Sequence, residues 1–507
     1  MMDLGKRKWW VLGALAVSLL TVGLDLTVLN LALPTIAEDL HASNSQLQWF
    51  ADAYNLVLAA ALLPAGLLGD RLGRKKMLIC ALIMFGIASV ASAYAHTAGQ
   101  LIAGRAFLGL GAAILLPMSM SIIPVIFTEQ ERPKAIGIWV TANSIGIPLG
   151  PIIGGWLLDN YWWGSVFLIN IPIVIIGVLA VAVLLPESRS SKKPRVDILG
   201  VLLSSIGLSS FTYGVIEAGE KGWGDLASLL LILAGVALLA GFVWWQKRIV
   251  HSLIDISLFR SPEFTWGSVL ATLVSFAMFG ILFVTPQYFQ AVEGADPMGT
   301  GLRLLPIIGG LIVGAKVSDV ITARMGGKWS LCIGFLLLAG GMGLGATTEL
   351  GHGYGFTSIW ITIVGLGIGF VLPVAMDVAI STLSAERSGV GSALIMALRQ
   401  VGGAIGVALL GTVLSSGYRD KLNLDEIPGQ AVEAVQRSVS AGTTAAAQLH
   451  SENLLSSVRT AFIHGMDMML WVCAGISVLG LILVLAFLRS SSERKESAEF
   501  EITNLGE

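Results

Sequence analysis

Charge is scarce in this sequence. Asp, Glu, Lys and Arg together make up 13% of its 507 residues, about half the usual quarter, which excludes an ordinary soluble globular domain. Cysteine is scarcer still: Cys80, Cys332 and Cys473 lie far apart in apolar runs. Neither a disulfide framework nor a zinc-ligand spacing is supported, and the three read as small apolar packing residues. The six histidines are scattered, and no HExxH, GxSxG, Walker or CxxC pattern occurs, so a membrane-embedded enzyme has little to stand on. No polar segment is long enough to form a signalling domain, which weakens a receptor. The net charge is only −2, and in a chain of this kind the informative quantity is where the charges fall. No nucleic-acid partner, cofactor or metal is expected.

What is abundant is apolar surface and glycine. Apolar residues make up 55% of the chain, and its 60 glycines are nearly twice the usual share of about 7%. They sit inside the apolar runs, as in closely packed membrane helices. A span needs about 20 mainly apolar residues. That ruler finds fourteen segments near 10–33, 47–68, 77–95, 99–124, 135–158, 163–185, 197–217, 226–246, 264–289, 300–323, 328–348, 356–382, 390–416 and 461–488. The N-terminal basic-then-apolar pattern resembles a signal peptide, but its apolar run continues to Pro34 without a small-residue cleavage site, so a retained first helix is expected.

The lysines and arginines test this count independently, because short cytoplasmic loops hold most of them. With the N-terminus inside, 22 of the 31 fall in cytoplasmic segments and five outside, the other four being Arg105, Arg303, Lys316 and Arg399 within spans. The expected fold is an all-α polytopic membrane protein with both termini in the cytoplasm. Residues 1–186 form one six-helix bundle, 187–260 a two-helix insertion, 261–489 a second six-helix bundle and 490–507 a cytoplasmic tail. The long external loop 417–460 reads as a solvated, weakly ordered cap, or as carrying a short amphipathic helix at "AVEAVQRSV".

Four motifs stand out. Between the second and third spans, "GLLGDRLGRKK" (66–76) has the makings of a tight turn: Gly69 and Gly73 permit close approach and unusual backbone angles, and Asp70 can pair with an arginine. Its elements are Gly66, Asp70, Arg71, Gly73 and Arg74. After the tenth span "SDVITARMGGK" is a weaker echo, with Arg324 and Gly326 matching Arg71 and Gly73, as in the internal repeats of secondary transporters. The first span carries Asp25, Thr27, Asn30, Ala32, Leu33 and Pro34 in "LDLTVLNLALP". The fourth contains Arg105 in "GRAFLGLGAAILLP". The fifth contains Gly146, Pro148, Gly150, Pro151, Gly154 and Gly155 in "GIPLGPIIGG", where a glycine every four residues makes a smooth packing face and the prolines bend the helix.

In these four motifs, each in its helix and in order, the chain closely resembles the major facilitator superfamily, and within it the fourteen-helix drug:proton antiporters, over nearly its whole length. The resemblance implies a monomer in the cell membrane that uses protons as coupling ion and takes small lipophilic substrates. It implies that the fifth-helix glycine face lies between the two halves and seals the outward side, and that the 66–74 turn gates the cytoplasmic side. "RQVGGAIG", containing Arg399 and Gln400, departs from the best-known quaternary-ammonium exporters, which carry acidic residues there; divalent-cation recognition is therefore not expected.

An ionised residue at the bilayer centre costs at least about 2.5–3.5 kcal/mol, so each intramembrane charge should face protein or a water-filled cavity. Asp25 lies roughly 24 Å along its helix from Trp9, past the midplane, where a proton and a bound cation compete for it; a structural hydrogen-bonded carboxylate is the plainer reading. Arg105 is either a coupling residue paired with a carboxylate of its own half or a fixed clamp. Lys316 either bridges to Asp377, making Asp377 a second proton or substrate site, or pairs locally with Asp319 one turn away. Trp49, Tyr54, Trp139, Phe276, Phe279, Phe283 and Met376 either line a cavity for flat cations or pack. The leading expectation is proton-coupled export of lipophilic cationic compounds by alternating access. The alternative is export of an endogenous metabolite, peptide or lipid, or of tetracycline-like chelates.

Overall fold

The computed structural model describes residues 4–42, 44–188, 197–249, 256–381, 383, 388–423, 432, 435–436 and 439–488. Among these, fourteen helices are long and apolar enough to cross a membrane. They are α1 (Leu4–Asp39), α2 (Asn44–Leu72), α3 (Arg74–Ala93), α4 (Ala98–Ile126) and α5 (Arg132–Asn160). α6 (Ser165–Leu184), α7 (Ile198–Lys221), α8 (Leu226–Gln246), α9 (Pro262–Val292) and α10 (Pro297–Met325) follow. The last are α11 (Gly327–Gly345), α12 (Gly353–Ile380), α13 (Ser388–Lys421) and α14 (Glu452–Phe487).

Polar caps start the helices where the apolar runs begin. Thr97, Asp197, Asp225, Ser261, Asp296 and Ser451 each accept from a backbone N–H three residues on, satisfying a donor that the first turn leaves orphaned. Two spans are interrupted. α10 breaks at Leu304, ahead of Pro306, and α9 ends in a π-helical turn, Tyr288–Val292. The glycines of the repeated turn behave alike. Gly73 (φ 111°) and Gly326 (φ 87°) each precede the first residue of the next helix in a conformation that side chains disfavour.

Packing sorts the helices into two groups. α1 lies on α5, α2 on α4, and α3 on α4 and α6; α10 and α11 lie on α12, α9 on α13, and α14 on α11 and α13. The groups meet where α2 and α4 touch α13 and where α5 touches α10 and α12. α7 leans on both α2 and α13, and α8 packs on α7. Large apolar residues such as Ile87, Leu179, Leu233, Val313 and Leu336 stay exposed on the perimeter, as required of a surface whose solvent is hydrocarbon.

The 417–460 region differs from the solvated cap expected for it. α13 continues to Lys421, α14 begins at Glu452, and a helix Val439–Gln448 stands between them with Val439, Gly442, Ala445 and Ala446 buried. Small residues allow this: a side chain at Gly442 would lie 2.8 Å from the Tyr418 hydroxyl and 3.0 Å from Val458 of α14. Most of "AVEAVQRSV" lies outside the described residues. Cys332 and Cys473 are buried as expected, whereas Cys80 is exposed on the perimeter.

α1 and α5 are almost backbone to backbone. An ideal Cβ at Gly146 would stand 2.6 Å from the Gly23 backbone, so Gly146→Leu should force the helices apart at a cost of about 1–3 kcal/mol or more. Gly340→Leu, where a side chain meets nothing within 4 Å, is the control. Thermal unfolding of detergent-extracted protein should show a lowered midpoint for the first and not the second; equal midpoints would disprove this account of the packing.

Candidate functional site

Asp25 of α1 and Arg105 of α4 form a buried ion pair, 2.5 Å from Nη1 to Oδ2, with both side chains 2% exposed. The guanidinium is held on two further sides by α2. Its Nε donates to the Phe50 carbonyl at 2.7 Å, and its carbon lies 4.8 Å from the Tyr54 ring centroid. Gly109 lets α4 come close enough for this, since a Cβ there would collide with the Tyr54 carbonyl. Arginine suits the place because its planar fork serves carboxylate, carbonyl and aromatic face at once. Arg105 thus pairs with a carboxylate of its own half.

The 66–74 turn makes a latch at the end of the molecule where α1 begins. Asp70 Oδ1 accepts from Arg74 Nη2 at 2.7 Å and from the Gly389 N–H at 3.1 Å, and Oδ2 accepts from the Val390 N–H at 3.0 Å. Those N–H groups open α13, so the carboxylate sits on the positive end of a helix dipole. Arg74 Nη1 donates to Ser188 Oγ at 2.8 Å, and Ser388 Oγ donates to the Ser121 carbonyl of α4. Bare backbone is required here too: a Cβ at Gly66 would lie 2.6 Å from that of Ala393. Gly73 brings Arg74 into line, while Arg71 is half-buried beside it.

The fifth-helix motif is placed differently from what the resemblance implies. Gly146, Gly150 and Gly154 face Gly23, Thr27 and Leu31 of α1, inside the first group. Contact with the second group comes from the other side of α5, where Gly301 of α10 abuts Pro148 and Ile152, and Gly155 lies near Met298. The reason is angular: residues at steps of four share one face, and that face is taken by the matching Gly–Thr–Leu series of α1. Pro151 is half-buried within the same helix.

No ion pair joins Lys316 to Asp377, nor to Asp319. Lys316 is exposed, because the buried positions of α10, Leu311, Gly314 and Ser318, turn its other face inward. The cation acting on Asp319 is Lys134 of α5. The charges acting on Asp377 are Arg132 and Glu129, and its Oδ1 has no hydrogen-bond partner among the described residues. Arg399 is buried, donating to Ser275 Oγ at 3.0 Å with the Met376 and Met396 sulfurs near its Nη1, so its contacts tie α13 to α9 and α12. Arg303 pairs with Glu293 at 3.1 Å.

A cavity of about 440 Å³ lies in the half of the molecule away from the latch. α1 contributes Thr27, α2 Asn55, α9 Phe279 and Phe283, and α13 Gln400 and Gly403. Of the aromatic candidates, Phe279 and Phe283 therefore line it. Trp139 donates to Ser119, Trp49 stacks on Tyr213, and Tyr54 holds Arg105. α7 supplies Thr212, Ile216 and Gly219, a contribution that sequence reasoning missed, since nothing in an apolar helix says which groove it will close.

Comparison with known proteins adds four findings. A family model described as Major Facilitator Superfamily matches residues 15–407. The tetracenomycin C resistance and export protein of Streptomyces glaucescens is 32% identical, covering 98% of this chain and 94% of its own length. The multidrug efflux pump LfrA of Mycolicibacterium smegmatis is 34% identical, with 95% of each chain covered. The crystal structure of the human organic anion transporter MFSD10 (TETRAN) superposes with a TM-score of 0.62 at 13% identity, covering 96% of this chain and all of that one.

The latch makes a direct expectation. In a chain whose three native cysteines are replaced by serine, Ser392→Cys places a thiol one turn inside α13, at a position fully buried in the native protein. Adding Asp70→Ala should remove charged hydrogen bonds worth about 1.5–3 kcal/mol and raise the rate of maleimide labelling at least about tenfold. An unchanged rate would mean that the carboxylate does not hold α2 to α13.

Proposed function

Because the chain belongs to the major facilitator superfamily, we propose that it is a proton-coupled exporter of lipophilic, drug-like compounds, working as a single chain in the cell membrane. The observation that carries this reading is the buried Asp25–Arg105 pair on a helix that also walls the cavity. A carboxylate that can exchange its arginine for a proton, next to a compartment of drug size, is what an antiporter needs.

The residues support a sequence of states. With Asp25 ionised, its charge is matched by Arg105 and α1 is tied to α4. A proton arriving from outside neutralises the carboxylate, leaving Arg105 with the Phe50 carbonyl and the Tyr54 ring. Thr27, two residues along α1 and so about 200° around it, points the other way, toward α5 and the cavity. Loosening α1 on one face therefore alters the cavity wall on the other. The loop-charge bias puts the latch end in the cytoplasm, so loading from inside requires the Asp70 contacts to open, and the closed latch corresponds to a cavity served from outside.

The two efflux relatives, one a resistance and export protein and the other a multidrug pump, support the outward direction of transport. Among the described residues that line the cavity none is Asp, Glu, Lys or Arg, so a positive charge on the substrate is accommodated by aromatic faces rather than required.

Glu131, outside the spans, provides an internal control for pH. The hydrogen bond from Lys8, and then those from Thr128, hold its carboxyl below the usual glutamate range. A group whose pKa is lowered on folding makes its contribution above its unfolded value and loses it only as pH falls through the lower, folded value. Its contact with Lys8 is therefore complete throughout pH 5–8. In everted vesicles carrying an acid-inside gradient, ethidium should collapse the gradient with wild type and with Glu131→Gln alike, with the same pH profile. Asp25→Asn, present at the wild-type level, should slow the response at least about tenfold, in line with the cost of unpairing a buried charge. A full response from Asp25→Asn would remove that residue from coupling.

A further inference from the structure

α7, one of the two helices inserted between the six-helix groups, does more than fill space. It is pinned to both groups. Ser205 Oγ donates to the Ala60 carbonyl of α2 at 2.7 Å, and Tyr213 stacks on Trp49 with centroids 5.7 Å apart. On the other side, a Cβ at Gly219 would lie 3.1 Å from that of Ala408 of α13, and Trp223 just past the helix donates to Thr412 Oγ1 at 2.8 Å. The helix thereby bridges α2 and α13 beside the cavity, and Thr212, Ile216 and Gly219 form one stripe on the cavity side.

Thr212 is the informative member. It is 1% exposed, and its hydroxyl has no hydrogen-bond partner among the described residues. Threonines and serines buried in apolar helices ordinarily donate to the carbonyl three or four residues back; Ser204 on the same helix, and Thr272 and Ser275 on α9, do so. Thr212 leaves that donor unspent where it meets the cavity. The side-chain amides of Asn55 and Gln400, on the same lining, likewise make no hydrogen bond among the described residues. Their chemistry is one hydroxyl and two amides, each able to donate and accept, set against Phe279, Leu282 and Phe283.

We propose that α7 is a wall of the substrate cavity and that Thr212 is a specificity-determining residue, which with Asn55 and Gln400 takes an uncharged, flat aromatic compound bearing carbonyl or hydroxyl oxygens. This rests on the export reading for the cavity's purpose, but it concerns binding and is tested by binding. A buried hydroxyl without a protein partner favours a ligand that supplies one over a hydrocarbon of equal size. The aromatic faces hold the ring system, and the unspent donors and acceptors select for its oxygens.

The experiment uses the full chain in lipid nanodiscs and follows tryptophan quenching by two ligands of similar shape, 1,8-dihydroxyanthraquinone and 9-methylanthracene. Thr212→Val, nearly isosteric, should raise the Kd for the anthraquinone roughly tenfold and leave that for methylanthracene unchanged; Thr212→Ser should restore the anthraquinone to within about twofold. Ile216→Trp, which fills the cavity from α7, should weaken both. Wild-type protein that fails to bind the anthraquinone, a Thr212→Val variant that binds it normally, or one that loses both ligands alike would overturn the proposal. Intact binding with no ligand-driven proton movement in vesicles would instead overturn the export reading and leave the α7 wall standing.

Discussion

The structure turns on one constraint: a carboxylate and a guanidinium share a place where water cannot replace either. Removing one partner of such a pair leaves a buried charge that costs about 3–5 kcal/mol, so α1, α2 and α4 are committed to meeting at that point. Asp25 fixes α1 against α4, and Phe50 and Tyr54 fix α2 around the arginine. Gly109 beneath Tyr54 brings α4 close enough to α2 for it, and Gly23 opposite Gly146 seats the same α1 on α5. On the function proposed above, one proton on Asp25 removes half of the pair's charge and turns this fixed contact into a switchable joint.

The two halves repeat their backbone but not their chemistry. Gly73 and Gly326 turn the chain in the same way before α3 and α11. Three residues before Gly73 stands Asp70, locked onto the start of α13; three before Gly326 stands Ala323, which can lock nothing. Its nearest functional counterpart is Asp319, one turn further back, facing Lys134 at the start of α5. One carboxylate is therefore fixed by hydrogen bonds from backbone N–H groups, while the other is only influenced by the charge of a side-chain ammonium.

Much of the architecture was legible in the sequence because hydrocarbon imposes a length on every span and sorts basic residues by side. All fourteen spans follow from those two rules. Partners within a half were partly legible: Arg105 could be read as pairing with a carboxylate of its own half or as a fixed clamp, but nothing in the spacing named Asp25 as its partner. What spacing does not reveal is which neighbour a face meets. The Gly146–Gly150–Gly154 stripe was plainly a packing face, but only the matching Gly23–Thr27–Leu31 series on α1 decides its occupant, and that match is visible only once both helices are aligned. Lys316 and Asp377 failed as a pair for a related reason: similar depth says nothing about rotation, and α10 turns Lys316 outward. The α13 donors to Asp70 were invisible because they are backbone N–H groups.

α1 joins these observations into one device. Its Asp25 face meets Arg105, and its Gly23–Thr27–Leu31 face meets α5 so closely that the two helices must move together. The other side of α5 carries Pro148 and Ile152 against Gly301 of α10, so any displacement of α1 is delivered to the seam between the halves. Thr27 takes the same displacement to the cavity wall. On the proposed coupling, a charge change at Asp25 has two neighbours to act on, the cavity wall through Thr27 and the seam through α5, and neither lies more than two helices away. The glycine motif of α5, displaced from its expected place between the halves, has its own part in this arrangement: it is the face that lets α1 and α5 pack backbone to backbone.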